Sequence, residues 1–453
     1  MNFWETYAPV VNWTSIRLHL ILALLNGHHT RQIDFVLAYP QADVECDMYM
    51  EIPQGFHHEG QRKTHVLQLL KNIYGTRQAG RVWNKHIHAG LMERGYRQST
   101  VDHCVYYKGS TVFLLYVDDG IFIGPDAAEI DNLIMSLKRD PLHKTSYDIT
   151  DEGNLSDYLG VKIDHLEGGR MRLSQPHLIQ QILNDLGFKD NTKSKRTPAP
   201  ASTILNRDTN GKEFEEEWAY RSVIGKLNFL EKSTRGDLSY AVHQCARFSI
   251  CPKHSHAEAV RHIGRYLIGT KDKGFILDPT QDSFDCYVDA DFCGTWNPDT
   301  AEGDSSTSKS RTGYVIKYAG CPIVWQSKLQ TETALSTTEA EYVALSSALR
   351  EVICLMGLLK EAQQHGIPNV TCTPNIHCKV FEDNSGALTM ATVPKMRPRT
   401  KHLNVKYHHF RDHVARGEIS LHAIASANQE ADIYTKPLPL TLFERFRVAI
   451  FGW

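Results

Sequence analysis

Tyr116-Val117-Asp118-Asp119 lies between two apolar runs, Val112-Phe113-Leu114-Leu115 and Ile121-Phe122-Ile123. The pattern predicts two strands joined at the acids, a β-hairpin with Asp118-Asp119-Gly120 at its tip. Adjacent carboxylates repel each other, so the pair costs stability unless a divalent cation sits between the acids and a phosphate. Asp-Asp-Gly is also ordinary turn chemistry. The four residues alone do not choose between a turn and a catalytic centre.

Outward from the hairpin, a third acid stands on a separate predicted strand. This is Asp34, within Gln32-Ile33-Asp34-Phe35-Val36-Leu37-Ala38-Tyr39. Tyr39 follows closely, where a sugar could stack. Lys71, Arg77 and Arg81 are basic groups suited to a triphosphate or a template. Each has a plainer reading. Asp34 could be a salt-bridged strand acid, Tyr39 could pack in the turn before Pro40, and Arg77 with Arg81 could form a solvated helix face.

The chain has 453 residues, 42% hydrophobic and 23% charged, with net charge −2. That is a globular composition with room for two to four domains. Whole-chain charge does not speak to nucleic acid, so local basic runs must. Ten cysteines occur without a C-x-x-C, which argues against a zinc ribbon or a disulfide framework and fits a reducing compartment. The apolar run Ile16–Leu25 contains Arg17 and His19 and is too short to span a bilayer. No small-residue cleavage site follows it, so it reads as an internal helix.

Helices are predicted over 14–25, 79–93 and 127–138, and strands over 30–35, 158–163 and 170–173. Ser174 is a plausible N-cap for a helix after Pro176. Residues 189–217, rich in Lys, Thr, Pro, Asn and Asp, read as a linker. Helical segments follow at 219–248 and 255–268. The pattern then changes to a strand at 284–289, a hairpin over 312–318 and 322–326, and a long amphipathic helix over 337–363. A strand at 375–382, a short helix, a strand at 418–424 and a terminal helix complete the chain.

This last third carries its own acids: Asp289 on a strand, Glu341 in the long helix, Asp383 after a strand, and Asp432 in the last helical region. Glu339 and Glu341 are about 200° apart around a helix, so only one can face a metal. Asp291 competes with Asp289, because alternation puts both on one face. Asp289, at the end of the apolar run, is preferred. His409-x-x-x-His413, near His402 and His408, has helical zinc spacing without supporting cysteines. Lys395, Arg397, Arg399 and Lys401 alternate in a basic segment suited to phosphate contacts, or to a solvated loop.

Taken in order, these motifs resemble the reverse transcriptases of copia-type retrotransposons. The resemblance includes Tyr7-Ala8-Pro9-Val10-Val11 with Ile16-Arg17, the Asp34 strand, and Met48-Tyr49-Met50 with Pro53-Gln54-Gly55-Phe56. It continues in Tyr74-Gly75-Thr76-Arg77-Gln78 with Trp83, Asp102, the Asp118 hairpin, Tyr158-Leu159-Gly160, Tyr220-Arg221-Ser222 with Gly225, and Arg265-Tyr266-Leu267. It implies that Asp34 and Asp118 hold two Mg²⁺ ions, or Mn²⁺, with Asp119 beside them. Tyr39 would pack under the nucleotide sugar and exclude a 2′-hydroxyl, and Gly75, Arg77 and Gln78 would serve the dNTP.

The C-terminal third resembles the copia-type ribonuclease H domain. The matching segments are Val288-Asp289-Ala290-Asp291, Ser310-Arg311-Thr312-Gly313-Tyr314, Trp325-Gln326-Ser327-Lys328, Ser336-Thr337-Thr338-Glu339-Ala340-Glu341-Tyr342, Glu382-Asp383-Asn384, and Ala431-Asp432-Ile433-Tyr434 with Thr435-Lys436-Pro437-Leu438. The resemblance favours Glu341 over Glu339, because an aromatic and then an alanine follow the family's helix acid closely. It implies a site where Asp289, Glu341, Asp383 and Asp432 bind two metals that clamp the scissile phosphate.

The expectation is an α/β (α+β) chain: a reverse-transcriptase palm over 1–188 with truncated fingers, a linker over 189–218, thumb or connection helices over 219–280, and a ribonuclease H-like mixed-sheet domain over 281–453. The expected partners are RNA template, DNA primer, RNA–DNA hybrid and other Pol polyprotein products, with no membrane. The resemblance places such a chain in a cytoplasmic virus-like particle, or in the nucleus. The alternative is a polymerase-inactive remnant that only binds nucleic acid or retains ribonuclease H alone.

Overall fold

The computed structural model describes residues 5–56, 61–138, 145–189, 191–201, 204–298, 303–368, 376–392 and 408–453. The chain forms two compact units, Met1–Leu155 with Lys360–Pro368, and Ser156–Leu359 with Asn369–Trp453.

The first unit contains α1 (Trp13–Asn26), β1 (His29–Phe35), β2 (Asp43–Glu51), β3 (Val66–Lys71), α2 (Ala79–Glu93), β4 (Arg97–Gln98), β5 (Val105–Lys108), β6 (Thr111–Tyr116), β7 (Asp119–Gly124), α3 (Ala127–Lys138) and β8 (Ile149–Gly153). Its main sheet has six strands in the order β4-β5-β6-β7-β1-β8. The predicted hairpin is β6–β7, with Tyr116 opposite Asp119. Ile33, Phe35, Phe113, Leu115 and Phe122 join one buried core with Trp83, Ile87 and Leu91 of α2 and Ile130, Leu133, Ile134 and Leu137 of α3. Period-2 alternation turns Asp34 to the opposite face. Gly120 lets the Phe113 ring close on β7, since a Cβ there would come within 2.6 Å of it. Asp102 anchors the start of α1: its Oδ2 accepts from Asn12 N at 3.1 Å, Asn12 Nδ2 at 3.2 Å and Ser15 Oγ at 2.6 Å. That satisfies donors a helix N-terminus otherwise leaves open.

The second unit contains β9 (Asp157–Tyr158), β10 (Val161–Leu166), β11 (Arg170–Ser174), α4 (Pro176–Asp185), α5 (Tyr220–Ser233), α6 (Ser239–Ala246), α7 (His254–Ile268), β12 (Gly274–Leu277), β13 (Phe284–Asp291), β14 (Arg311–Tyr318), β15 (Cys321–Leu329), α8 (Thr337–Gln364, to Leu359 in this unit), β16 (Cys378–Glu382), α9 (Ser385–Thr392), α10 (Arg411–Ala415), β17 (Ile419–Ala423), α11 (Asp432–Thr435) and α12 (Leu440–Phe451). A mixed five-stranded sheet runs β15-β14-β13-β16-β17, and a second sheet runs β12-β11-β10-β9. In the mixed sheet β16 is parallel to both β13 and β17. Helix α8 is long and apolar enough to cross a membrane, but most of that stretch is buried. Tyr342, Leu345, Leu349, Met356 and Leu359, at helical spacing along it, lie in the core, and Ile353 of the same stripe is half-buried.

The compact units do not follow the expected boundaries. Residues 156–188, expected with the palm, fall in the second unit, because β11 pairs with β12 from far along the chain. The helices of 219–280 are not separate either. Trp325 of β15 donates its indole N–H to Glu231 O at 2.9 Å, and its ring meets Phe275 and Phe451 edge-on at 5.7 Å. The 189–217 stretch is tied to α7: His262 bonds Thr197 O at 3.0 Å, and His256 bonds Asn206 O at 2.7 Å. The 219–248 helix breaks after Ser233. There the buried Arg235 folds back onto Asp237 at 2.8 Å and onto Thr270 O at 3.0 Å. Ser174 ends β11, and Gln175 takes the N-cap position of α4.

Candidate active sites

In the first unit, β1 and β7 pair antiparallel with Asp34 directly opposite Asp119. Directly opposed residues project to the same face, with Cβ atoms about 4.5–5.5 Å apart. Asp118 is in the turn, and its carbonyl accepts from Phe35 N at 2.8 Å. Val117 has φ +55°, a strained setting for a β-branched residue. The Trp83 indole N–H donates to Val117 O at 2.6 Å and helps hold it there. Burial, then Asp118, raises the proton affinity of both Asp34 and Asp119; the Asp119 carboxyl is pushed up to about 6. The three acids are therefore gathered on one hairpin tip and its neighbouring strand, half-exposed.

Two participants were not anticipated. Glu152 of β8 adds negative potential at both Asp34 and Asp119. Tyr74 donates its hydroxyl to Asp118 Oδ2 at 3.4 Å, and its ring lies 4.5 Å from that of Tyr39. Tyr39 is thus beside the acids. Gly75 follows at φ +98°, and Arg77 is exposed. Gln78 is turned inward, its amide on the Met48 sulfur. Lys71 is paired with Asp43 at 2.6 Å. Arg81 is buried and pairs with Glu45, so the solvated-face reading fails for it.

In the second unit, Asp289, Glu341 and Asp383 bring ligand oxygens within 4.8 Å of one another. They come from β13, α8 and the end of β16. The alternatives separate cleanly. Glu339 Oε2 accepts from Leu335 N at 2.9 Å and its own N–H donates to Ser336 Oγ at 3.2 Å, a reciprocal cap on α8. Asp291 is raised in proton affinity by burial and by Asp289, outside the close trio. Asp432 shares a hydrogen bond with the Asp289 carboxyl, and Lys436 Nζ lies 2.7 Å from its Oδ1. Thr435 donates to Asp289 Oδ2, and Ser426 donates to Asp383 Oδ2 at 2.7 Å.

A fourth acid, Glu382, lies close to Glu341. Glu382 is fully buried, accepts from Asn384 N at 3.0 Å through Oε1, and has no partner for Oε2. Glu341 Oε2 is equally buried and unpartnered. Burial and the neighbouring carboxylates push Glu341 up to about 11 and Glu382 well above its ordinary range. Burial, then Asp289, pushes Asp432 up to about 7. Converging carboxylates with orphaned oxygens fit a hard divalent cation, which takes oxygen ligands.

Lys395, Arg397, Arg399, Lys401 and His402 lie outside the described residues. His408 is bonded to Tyr342 OH at 2.7 Å and His413 to Glu418 at 2.7 Å. Among the described residues, His409 and His413 gather no third metal ligand.

Residues 1–201 match the family model described as reverse transcriptase (RNA-dependent DNA polymerase). Over 98% of its length, the chain is 34% identical to the retrovirus-related Pol polyprotein from transposon TNT 1-94 of Nicotiana tabacum and 31% identical to that from transposon RE1 of Arabidopsis thaliana. It spans 32% and 29% of those relatives, about a third of each. A putative transposon Ty5-1 protein of Saccharomyces cerevisiae is 27% identical across 71% of this chain and the whole of that protein. With the Asp34–Asp118–Asp119 face inside the matched region, residues 1–201 hold a reverse transcriptase domain, and over 98% of its length the chain is similar to the retrovirus-related Pol polyproteins of plant transposons.

Proposed function

We propose that this chain copies RNA into DNA at the Asp34–Asp118–Asp119 face and cuts the RNA strand of RNA–DNA hybrids at Asp289, Glu341, Asp383 and Asp432. The observation that carries the second activity is the trio of carboxylates closing to within 4.8 Å on three separate elements. Pairs of Mg²⁺ or Mn²⁺ ions bound there would polarise the reacting phosphate and activate the attacking oxygen. The protein's own part is placement. Strands β13 and β16 and helix α8 fix the oxygens in advance, so little reorganisation remains when substrate arrives. Thr435 and Ser426 orient Asp289 and Asp383 by hydrogen bonds, and Lys436 offsets the charge of Asp432. At the polymerase face, Tyr39 and Tyr74 form an aromatic shelf beside Asp118 for the sugar of a dNTP. RNA template, DNA primer and the other parts of a Pol polyprotein are the partners this reading requires.

The test offers the full chain a 5′-labelled RNA–DNA hybrid and, separately, a primed RNA template with dNTPs, in Mg²⁺ or Mn²⁺. Hybrid cleavage that leaves single-stranded RNA intact, together with primer extension, is the expected result. A folded chain that binds hybrid and does neither would be a remnant.

A further inference from the structure

Beside the start of β16, in the second unit, two imidazoles meet one hydroxyl. His377 Nε2 lies 2.8 Å from Ser420 Oγ, and His422 Nε2 lies 2.7 Å from the same atom. Gly417 O is 2.9 Å from His377 Nδ1, and a carbonyl only accepts, so Nδ1 carries the proton. His377 Nε2 is then a bare lone pair facing Ser420. The hydroxyl donates to it and accepts from His422 Nε2–H. The acid trio lies at the other end of this strand: at about 3.3 Å per residue, His377 is roughly 20 Å from Asp383.

The backbone holds this arrangement. Strands β16 and β17 pair in parallel, with Cys378 opposite Ile419 and Phe381 opposite His422. Cys378 N donates to Glu418 O at 3.0 Å. Gly417 has φ +72°, a left-handed setting that glycine takes at little cost, and its carbonyl meets His377 there. The Phe381 ring lies 5.7 Å from that of His422 and stacks on Tyr287 at 4.8 Å. His377 and Ser420 are half-buried and His422 is exposed, so an ion can reach both nitrogens from water. Lys379, opposite Ser420, is exposed, and its ammonium can turn to solvent.

We propose that His377 and His422, with Ser420 or water completing the shell, bind a borderline dication of the Zn²⁺ or Cu²⁺ kind. Imidazole nitrogens suit such ions, whereas carboxylate clusters suit Mg²⁺ and Mn²⁺. A ligating histidine commonly donates its other ring N–H to a backbone carbonyl, and His377 already does so to Gly417. On binding, the ion replaces the proton between Ser420 and His422. His422 moves that proton to Nδ1, the Ser420 hydroxyl keeps its own, and no net proton is released. The ion clips β17, the outer strand of the mixed sheet, to β16. The proposal goes beyond the nuclease reading and needs no part of it.

The experiment loads the full chain with Cu²⁺ in excess Mg²⁺ and records its electron paramagnetic resonance spectrum. Splitting from two nitrogens is expected in the parent and from one in His377→Gln or His422→Gln, whereas carboxylate oxygens give none. Zn²⁺ affinity, measured by calorimetry, should fall at least about tenfold in each variant, since even the outer partners of a metal ligand are worth that much. His177→Gln, at an exposed histidine of α4, should change it less than about twofold. Melting curves without Zn²⁺ check that each variant folds. Should one not fold, the parent chain decides. Zn²⁺ should shield His377 and His422, but not His177, from diethyl pyrocarbonate, as peptide mass spectrometry reads. Unchanged Zn²⁺ affinity in both variants, a copper spectrum without two nitrogens, or equal modification with and without Zn²⁺ overturns the proposal. Zn²⁺ binding that is lost in Asp289→Asn and kept in both histidine variants would place the ion at the acids and overturn it too.

Discussion

The two acid clusters handle like charge in opposite ways. Asp34, Asp118 and Asp119 are half-exposed around a hairpin tip, where water screens their repulsion. Asp289, Glu341 and Glu382 are buried, and two of their oxygens have no hydrogen-bond partner. The first site can stand open and charged. The second holds protons until positive charge arrives, so its geometry is built in advance and its charge state is set by what binds.

The largest effects should come from single acids and should respect the division. Asp289→Asn and Glu341→Gln are expected to cut hybrid cleavage about a thousandfold or more, close to 4 kcal/mol of transition-state stabilisation, and to leave primer extension within a few-fold. Asp34→Asn and Asp118→Asn should do the reverse. Glu339→Gln, at a residue whose carboxylate caps the helix, should keep most of its cleavage. A variant at one site that abolishes both activities would erase the contrast, and loss of cleavage in Glu339→Gln would misplace the helix acid by two residues.

The next effect is on folding. A fragment of residues 281–453 strips β12, α5 and α6 from β15 and uncovers Trp325, which is 8% exposed in the whole chain. Residues 156–453 should melt cooperatively. The shorter piece should melt at least 10 °C lower or aggregate, as scanning calorimetry and light scattering would show. Equal melting of the two would mean that the second site builds its own core.

Smaller still is the response to pH. Asp432 is pushed up from 3.8 to about 7 and Glu341 from 4.5 to about 11, so both bind a proton more tightly folded than unfolded. Each contributes stability that is fully present below its unfolded value and fades as pH rises toward the folded one. In EDTA, Tm should fall by a few degrees between pH 5 and pH 8, and Glu341→Gln should flatten the decline. Mg²⁺ should restore Tm at pH 8, because a ligand of the native state alone stabilises it. A Tm that rises over this range in EDTA would show that the acids are not held protonated. The smallest change is Tyr74→Phe, which removes a hydrogen bond of 3.4 Å to Asp118. A two- to fivefold loss in single-nucleotide incorporation is expected, with cleavage untouched.

Much of this was readable in the sequence. The Val112–Ile123 hairpin pairs as expected, and Asp34 lies on the strand expected for it, because alternation and turn chemistry are local signals. The long helix runs 337–364 against an expected 337–363, for the same reason. The β2 strand was legible and overlooked: Val44, Cys46, Met48 and Met50 alternate with polar neighbours, and the strand alternates in burial throughout. Others had no local signal. Ile149-Thr150-Asp151-Glu152-Gly153 is mostly exposed and becomes a strand only by pairing with β1, so Glu152 could not have been placed beside Asp34. Pairing between β11 and β12, a hundred residues apart, is equally invisible, and it moves residues 156–188 into the second unit. Packing between distant segments decides such elements, and propensity does not report it.

The Trp325 contact with α5 and with Phe275 also has a consequence for inheritance. Mobile elements exchange segments by recombination, and a crossover preserves function only when both sides of the joint still fit. A joint near residue 280 would unite a foreign five-stranded sheet with helices whose side chains were not selected to cover its tryptophan. A joint near 155 would carry the interlocked second unit across intact and leave only Lys360–Pro368 to be matched to the first. Chimaeric relatives of this chain should therefore show their breakpoints clustered near 155 and scarce around 280.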